Sequence, residues 1–147
     1  MEERRTPVSH VVVDASVIGA LILEDERDQL LSGLVDVLSV QGEGALVPTH
    51  WLLESASMVQ SAWRRKRLTE TGVAKALELL RNLFVQVDQE TDAHALDTTW
   101  RLSQRHGLTI YDAAYLELAI RRASPLASAD VALLSAARKE QIGLFGR

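Results

Sequence analysis

Three consecutive β-branched residues, Val11-Val12-Val13, run directly into a carboxylate, Asp14, with a hydroxyl, Ser16, two residues further on. A valine run with no polar alternation has to be covered on both faces, as a strand is inside a parallel sheet flanked by helices. Parallel neighbours need long crossover connections, usually helical, so the rest of the chain is expected to alternate strand and helix. An acid at the mouth of such a strand then has an address, because open α/β sheets bind ligands beyond the carboxyl ends of their strands.

The remaining sequence supplies that alternation. Residues 18–23 are helical and apolar, and a second helix is expected over 25–40, where Leu30, Leu31, Leu34, Val35 and Leu38 recur at helical spacing until Gln41-Gly42-Glu43-Gly44 stops them. Residues 45–48 (ALVP) read as a strand, and a helix follows from about Trp51 to Arg65. Thr69 is placed to cap a helix through Leu80, ahead of a strand over 84–87 (FVQV). One helix is predicted over 90–106, ending at Gly107, then another over 110–122. A short strand at 125–127, a helix at 130–140 and a last strand at 142–145 complete the pattern. The fold class is therefore α/β, with about five short, mostly parallel strands and helices on both faces.

A chain of 147 residues with 47% hydrophobic content suits one domain, expected over 10–147 behind a flexible N-terminus at 1–9. Without cysteine there is no disulfide, thiolate nucleophile or thiolate zinc site. No apolar run approaches the roughly 20 residues of a membrane span, and a cytoplasmic location is expected. The net charge is −4, yet the cations cluster as Arg64-Arg65-Lys66-Arg67 and Arg121-Arg122, and many acids fall within 24–28 and 88–97. Alone, such clusters read as solvated helix ends.

Four acids share one edge of the predicted sheet: Asp14, Glu54, Asp112 and Asp130. Each has a plainer role available. Asp14 and Asp130 suit N-caps, and Asp112 stands three residues after Thr109 in a capping-box arrangement. Glu54 lies too far into its helix to cap it, and its neighbours Ser57, Met58 and Ser61 leave a semi-polar face. Carboxylates converging within about 5 Å repel and raise one another's pKa unless a cation sits among them, and hard oxygen ligands without Cys or paired His favour Mg²⁺ or Mn²⁺ over zinc. His10, His50, His94 and His106 are isolated and read as surface or capping residues. Dinucleotide, P-loop and serine-elbow motifs are missing, and Ser16 stands where a phosphoaspartyl phosphatase has its second Asp.

In order and spacing, VVVDASVIGALIL, VPTHWLLESASMV, LTIYDAAYLELAI and LASADVALLSAA resemble the four acidic blocks of PIN-domain nucleases, above all the VapC toxins of VapBC toxin–antitoxin pairs. The likeness runs from about His10 to Phe145. It places the family's acids on Asp14, Glu54, Asp112 and Asp130 and its hydroxyls on Ser16 and Ser128. Ser57 departs from a frequent Asn, Lys66 from a frequent turn Gly, and Gln141 from a Gly often found before the last strand.

The resemblance implies a three-layer PIN-like fold and an endoribonuclease toxin that cuts structured transfer or ribosomal RNA and arrests translation. Asp14 and Asp112 would ligate Mg²⁺ or Mn²⁺, with Glu54 and Asp130 completing the site and Ser16 and Ser128 orienting the acids. One or two such ions would activate a water for in-line attack on phosphorus. Arg64, Arg65, Arg105 and Arg121 are candidates for RNA contact. A cognate antitoxin and a homodimer are expected partners, the latter through apolar residues of the helix pair at 51–80, including Trp63, unless these pack within the monomer. A metal-dependent DNA or flap nuclease and a non-catalytic PIN-like binding module remain as alternatives.

Overall fold

The computed structural model describes residues 10–23, 29–39 and 44–146. The predicted N-terminal tail, the acids at 24–28 and most of the glycine stop at 41–43 lie outside the described residues. The elements are β1 (Val11–Val13), α1 (Ser16–Ile22), α2 (Gln29–Leu38), β2 (Ala45–Val47), α3 (Trp51–Arg64), α4 (Glu70–Asn82), β3 (Gln86–Val87), α5 (Thr91–His94), α6 (Thr98–His106), α7 (Ile110–Arg121), β4 (Leu126–Ala127) and α8 (Val131–Lys139).

All the strand pairs are parallel, in the order β3-β2-β1-β4. The valine run is the centre: Val12 and Val13 are wholly buried, paired to Leu46 on one side and to Leu126 and Ala127 on the other. The chain first steps from β1 to β2 to β3, then crosses back over the sheet to β4. Right-handed crossovers in these opposite directions put α1–α4 on one face and α5–α7 on the other, the three layers of the PIN-like arrangement. The reversal lies between β1 and β4, so the strand order opens a crevice at their carboxyl ends.

α7 is the inner helix of its face. Ala113 to Ala119 are buried without interruption, against β1 and β4 inside and α6 and α8 to the sides. Its start is specified locally. Gly107 closes α6 in the left-handed region (φ 64°), and the Thr109 hydroxyl caps α7 by accepting from the Asp112 N–H at 3.1 Å. Thr69 likewise caps α4 through the Gly72 N–H.

Two predicted elements differ. The single helix over 90–106 is broken into α5 and α6, because Thr91 ties α5 to the strand ends while α6 lies along α7. Thr91 Oγ1 accepts from the Thr49 N–H and donates to Asp88. The fifth strand is reduced to one parallel bridge, Leu126 with Leu144, held by Leu126 N–H to Gly143 O and Phe145 N–H to Leu126 O, before Gly146 (φ 75°) turns the chain.

Lys66 and Gln141, the two positions where the resemblance leads one to expect glycine, both adopt φ 60°. A side chain costs roughly 1 kcal/mol in this left-handed region, which glycine enters freely. Gln141→Gly, at an exposed turn, is therefore expected to raise the unfolding free energy by up to about 1 kcal/mol in urea denaturation; a lowered midpoint would show that backbone strain is not what limits this turn.

Candidate active site

Asp14 follows β1 directly and is 3% exposed. It does not cap α1, whose N-cap position is Ala15 with no side-chain bond, so the capping role considered for it is replaced by a different one. Its Oδ2 accepts from the Ser16 hydroxyl at 2.6 Å and from the Ser128 hydroxyl at 2.7 Å. The two hydroxyl oxygens in turn accept backbone N–H groups, Ser16 from Ala129 and Ser128 from Asp130. Both hydroxyl protons thus point at one carboxylate, and the 3.3 Å Ser16–Ser128 contact is a contact of oxygens without a proton between them. Burial still dominates: it raises the Asp14 pKa, with the Glu54 charge adding to it and the serine bonds opposing.

Asp130 has the plain role open to it, since Oδ1 caps α8 by accepting from the Leu133 N–H at 2.9 Å. Capping and a place in the acid group are compatible, because the cap fixes this carboxylate at the same edge as Ser128.

Glu54 sits in the first turn of α3, where the helix dipole favours an anion. Its Oε1 accepts from the Tyr115 hydroxyl at 2.7 Å and lies 3.1 Å from His50 Nε2. That nitrogen also lies 3.2 Å from the Tyr111 carbonyl; since both neighbours are acceptors, Nε2 carries the proton. Burial pushes the Glu54 pKa up, but the bonds from His50 and Tyr115 outweigh it and hold the group below its ordinary value. Burial and the bond to Glu54 raise the Tyr115 hydroxyl far above its ordinary pKa, so it stays a donor.

Asp112, three residues before Tyr115 on α7, has no such support. Its pKa is pushed up to about 6, first by burial and then by the charges of Asp14, Asp130 and Glu54, which the Thr109 hydroxyl only partly opposes. The four acids therefore share one electrostatic neighbourhood. Among the described residues no three acidic or imidazole side chains stand as a ligand set around a point. The donor set suits a hard divalent cation: oxygen only, negatively charged, and fixed from behind by hydroxyl donors.

The basic candidates separate. Arg64 and Arg65 are exposed at the end of α3. Arg105 is ion-paired to Glu140 at 2.6 Å beside the buried His106 ring. Arg121 is withdrawn from RNA contact altogether. Nε donates to Glu117, one terminal nitrogen to Asp88 and Glu90, and the other to Asp88 and Glu117, so all five N–H donors are used. Asp88 and Glu117 are buried, which makes this a structural knot pinning β3 to α7. Trp63, at 45% exposure, is not part of the monomer core.

Sequence reasoning missed His50 and Tyr115. The available signals were the i, i+4 spacing of His50 and Glu54 and the i, i+3 spacing of Asp112 and Tyr115, which put each pair on one helix face.

The PIN domain family profile matches residues 11–139. The chain is 30% identical over 127 residues to Ribonuclease VapC3 of Pyrobaculum aerophilum, covering 82% of this chain and 88% of that protein. Two crystal structures share the fold. PAE2754 from Pyrobaculum aerophilum aligns with a TM-score of 0.62 at 20% identity, covering 92% of this chain and 86% of that one. VapC20 of Mycobacterium tuberculosis, described as a sarcin-ricin loop cleaving toxin, aligns with a TM-score of 0.57 at 16% identity, covering 86% and 94%.

A carboxyl group raised in the folded state stabilises the protein below its unfolded pKa, and that contribution is lost as pH rises through the folded value. For Asp112 in chelator, the window runs from 3.8 to about 6. Wild-type protein is thus expected to lose stability relative to Asp112→Asn as pH rises across it, read as the difference between their urea midpoints. A difference that stays constant with pH would show that the fold does not raise the Asp112 pKa.

Proposed function

The chain belongs to the PIN domain family and its VapC-type ribonucleases, and from that premise we propose that it is a Mg²⁺- or Mn²⁺-dependent endoribonuclease toxin. Its substrate is structured cellular RNA, transfer or ribosomal, whose cleavage inhibits translation; a cognate antitoxin neutralises it. The observation that carries this reading is the acid group at the crevice between β1 and β4, with Asp14 gripped by two serine hydroxyls, Glu54 by Tyr115 and His50, and Asp112 raised by burial and by the charges of the other three. Such a cluster is a poor structural device and a good cation site.

Asp14 and Asp112 would hold the ion, with Glu54 and Asp130 completing its surroundings. A divalent cation bound there supplies positive charge against the phosphate and acidifies a water for in-line attack. The chain's own residues do the rest. Ser16 and Ser128 fix the Asp14 carboxylate, and Tyr115 and His50 keep Glu54 ionised and aimed. Asp112 would add the remaining negative charge toward such an ion. Homodimerisation through the α3–α4 face belongs to the same reading, since Leu52, Trp63 and Leu79 on these helices are exposed.

Purified protein is expected to cleave RNA with Mg²⁺ or Mn²⁺ and to stop with chelator, while Asp14→Asn and Asp112→Asn fold and do not cleave. Cleavage that persists in both variants would place the chemistry elsewhere. Ser128→Ala, which removes one of the two donors to Asp14, is expected to cost about 10–100-fold in metal affinity or activity. Mn²⁺ titration of the folded variant checks this directly, and wild-type affinity would mean that Ser128 does not orient a ligand.

A further inference from the structure

Three helices begin at the acid group, α3 at Glu54, α7 at Asp112 and α8 at Asp130, and they differ in what they offer a strand of RNA leaving it. α7 is closed from Ala113 to Ala119 by burial. α8 opens with Val131, an apolar side chain at 80% exposure. α3 alone among them carries an accessible polar line. At 100° per residue Ser57, Ser61, Arg64 and Arg65 all lie within about 80° of Glu54, and Arg65, eleven residues on, returns to within about 20° of it. Ser57 is exposed, Ser61 half-buried and both arginines exposed, whereas Trp63 falls on the opposite side of the helix.

The charge along this line changes sign, from the carboxylates at its start to the cations at its end. Arg64, Arg65 and Lys66 form no ion pair with any described residue, unlike Arg81, Arg101, Arg105 and Arg121, each tied to a carboxylate. The left-handed turn at Lys66 folds the basic run back on itself. It borders a cleft of about 420 Å³ lined by Trp63, Arg64, Lys66, Arg67, Leu68 and Thr69.

We propose that the exposed face of α3, from Ser57 through Ser61 to Arg64 and Arg65, is a track for the single-stranded RNA backbone flanking the cleaved bond. The proposal rests on the ribonuclease reading and adds a substrate path to it. Arg65 lies about 16 Å along the helix from Glu54, so the arginines meet phosphates a few nucleotides from the bond that is cut. The serine hydroxyls donate to the phosphates between, and the arginines neutralise the far ones. The acidic net charge is no obstacle, since contact needs cations only where the strand leaves the metal site.

The test is binding and cleavage by the full chain, wild type against Arg64→Gln/Arg65→Gln, with Lys75→Gln/Arg81→Gln on α4 as a control of equal charge change. In chelator, anisotropy of an end-labelled, unstructured RNA of about twelve nucleotides is followed across a salt series. The track predicts several-fold weaker binding for the Arg64/Arg65 variant and a log–log salt slope shallower by about 1.4, from two lost phosphate contacts on a single strand. With Mg²⁺ the loss should appear in KM rather than kcat, and the control should move neither. A wild-type slope in the double variant, an equal effect in the control, or a change confined to oligomeric state by light scattering overturns the proposal. If the wild type binds with the expected slope but never cleaves, the catalytic reading fails and the track stands. If cleavage needs Asp14 and the double variant behaves as wild type, the track alone fails.

Discussion

The bond from Ser128 to Asp14 is the constraint on which the rest of the site depends. It joins residues 114 apart in sequence at 2.7 Å, and it exists only because β1 and β4 lie side by side with the chain reversing its direction of travel between them. The same two loops are tied twice more, by Ala129 N–H to Ser16 and by Asp14 N–H to the Ala127 carbonyl. A hydrogen bond contributes on the order of 0.5–1.5 kcal/mol, and a buried carboxyl oxygen left without its donors costs about 1–3 kcal/mol. The sheet thus delivers the acid, and the hydroxyls make its burial tolerable.

Around that fixed point the other acids are held unequally. Glu54 is stabilised as an anion by two donors, Asp130 is occupied as a helix cap, and Asp112 is left to absorb the repulsion of all three. Asp14 and Asp112 are raised by burial and repulsion while Glu54 is held below its ordinary value, so a positive charge placed among them would relieve the whole group. That need separates this cluster from Asp88, which follows β3 as Asp14 follows β1. There Arg121 supplies the counter-charge permanently, and its bonds with that of Thr91 outweigh burial to lower the Asp88 pKa.

Much of this was legible in the sequence, for identifiable reasons. The valine run required a doubly covered strand, and the turn and capping signals at Thr69, Gly107 and Thr109 marked helix ends that depend only on local chemistry. Asp14 and Asp130 stood out because they follow strands, and Glu54 and Asp112 because they lie in the first turns of helices. What the sequence did not disclose depends on contacts between distant elements: Tyr115 reaching Glu54, Thr91 splitting a helix by anchoring to Thr49 and Asp88, and Arg121 spent on three carboxylates. A pair of adjacent arginines, Arg121-Arg122, looks the same in a sequence whether or not one is consumed by the fold.

α7 carries one acid of the cluster and, one turn later, the tyrosine that grips another, while seven consecutive residues of it are buried. Core and site are here the same stretch of chain. Substitution along α7 trades stability against geometry at nearly every position, which leaves it little freedom to drift. Variation that changes which RNA is chosen has to accumulate instead on α3 and the loops beside it, where side chains reach solvent without supporting anything beneath them.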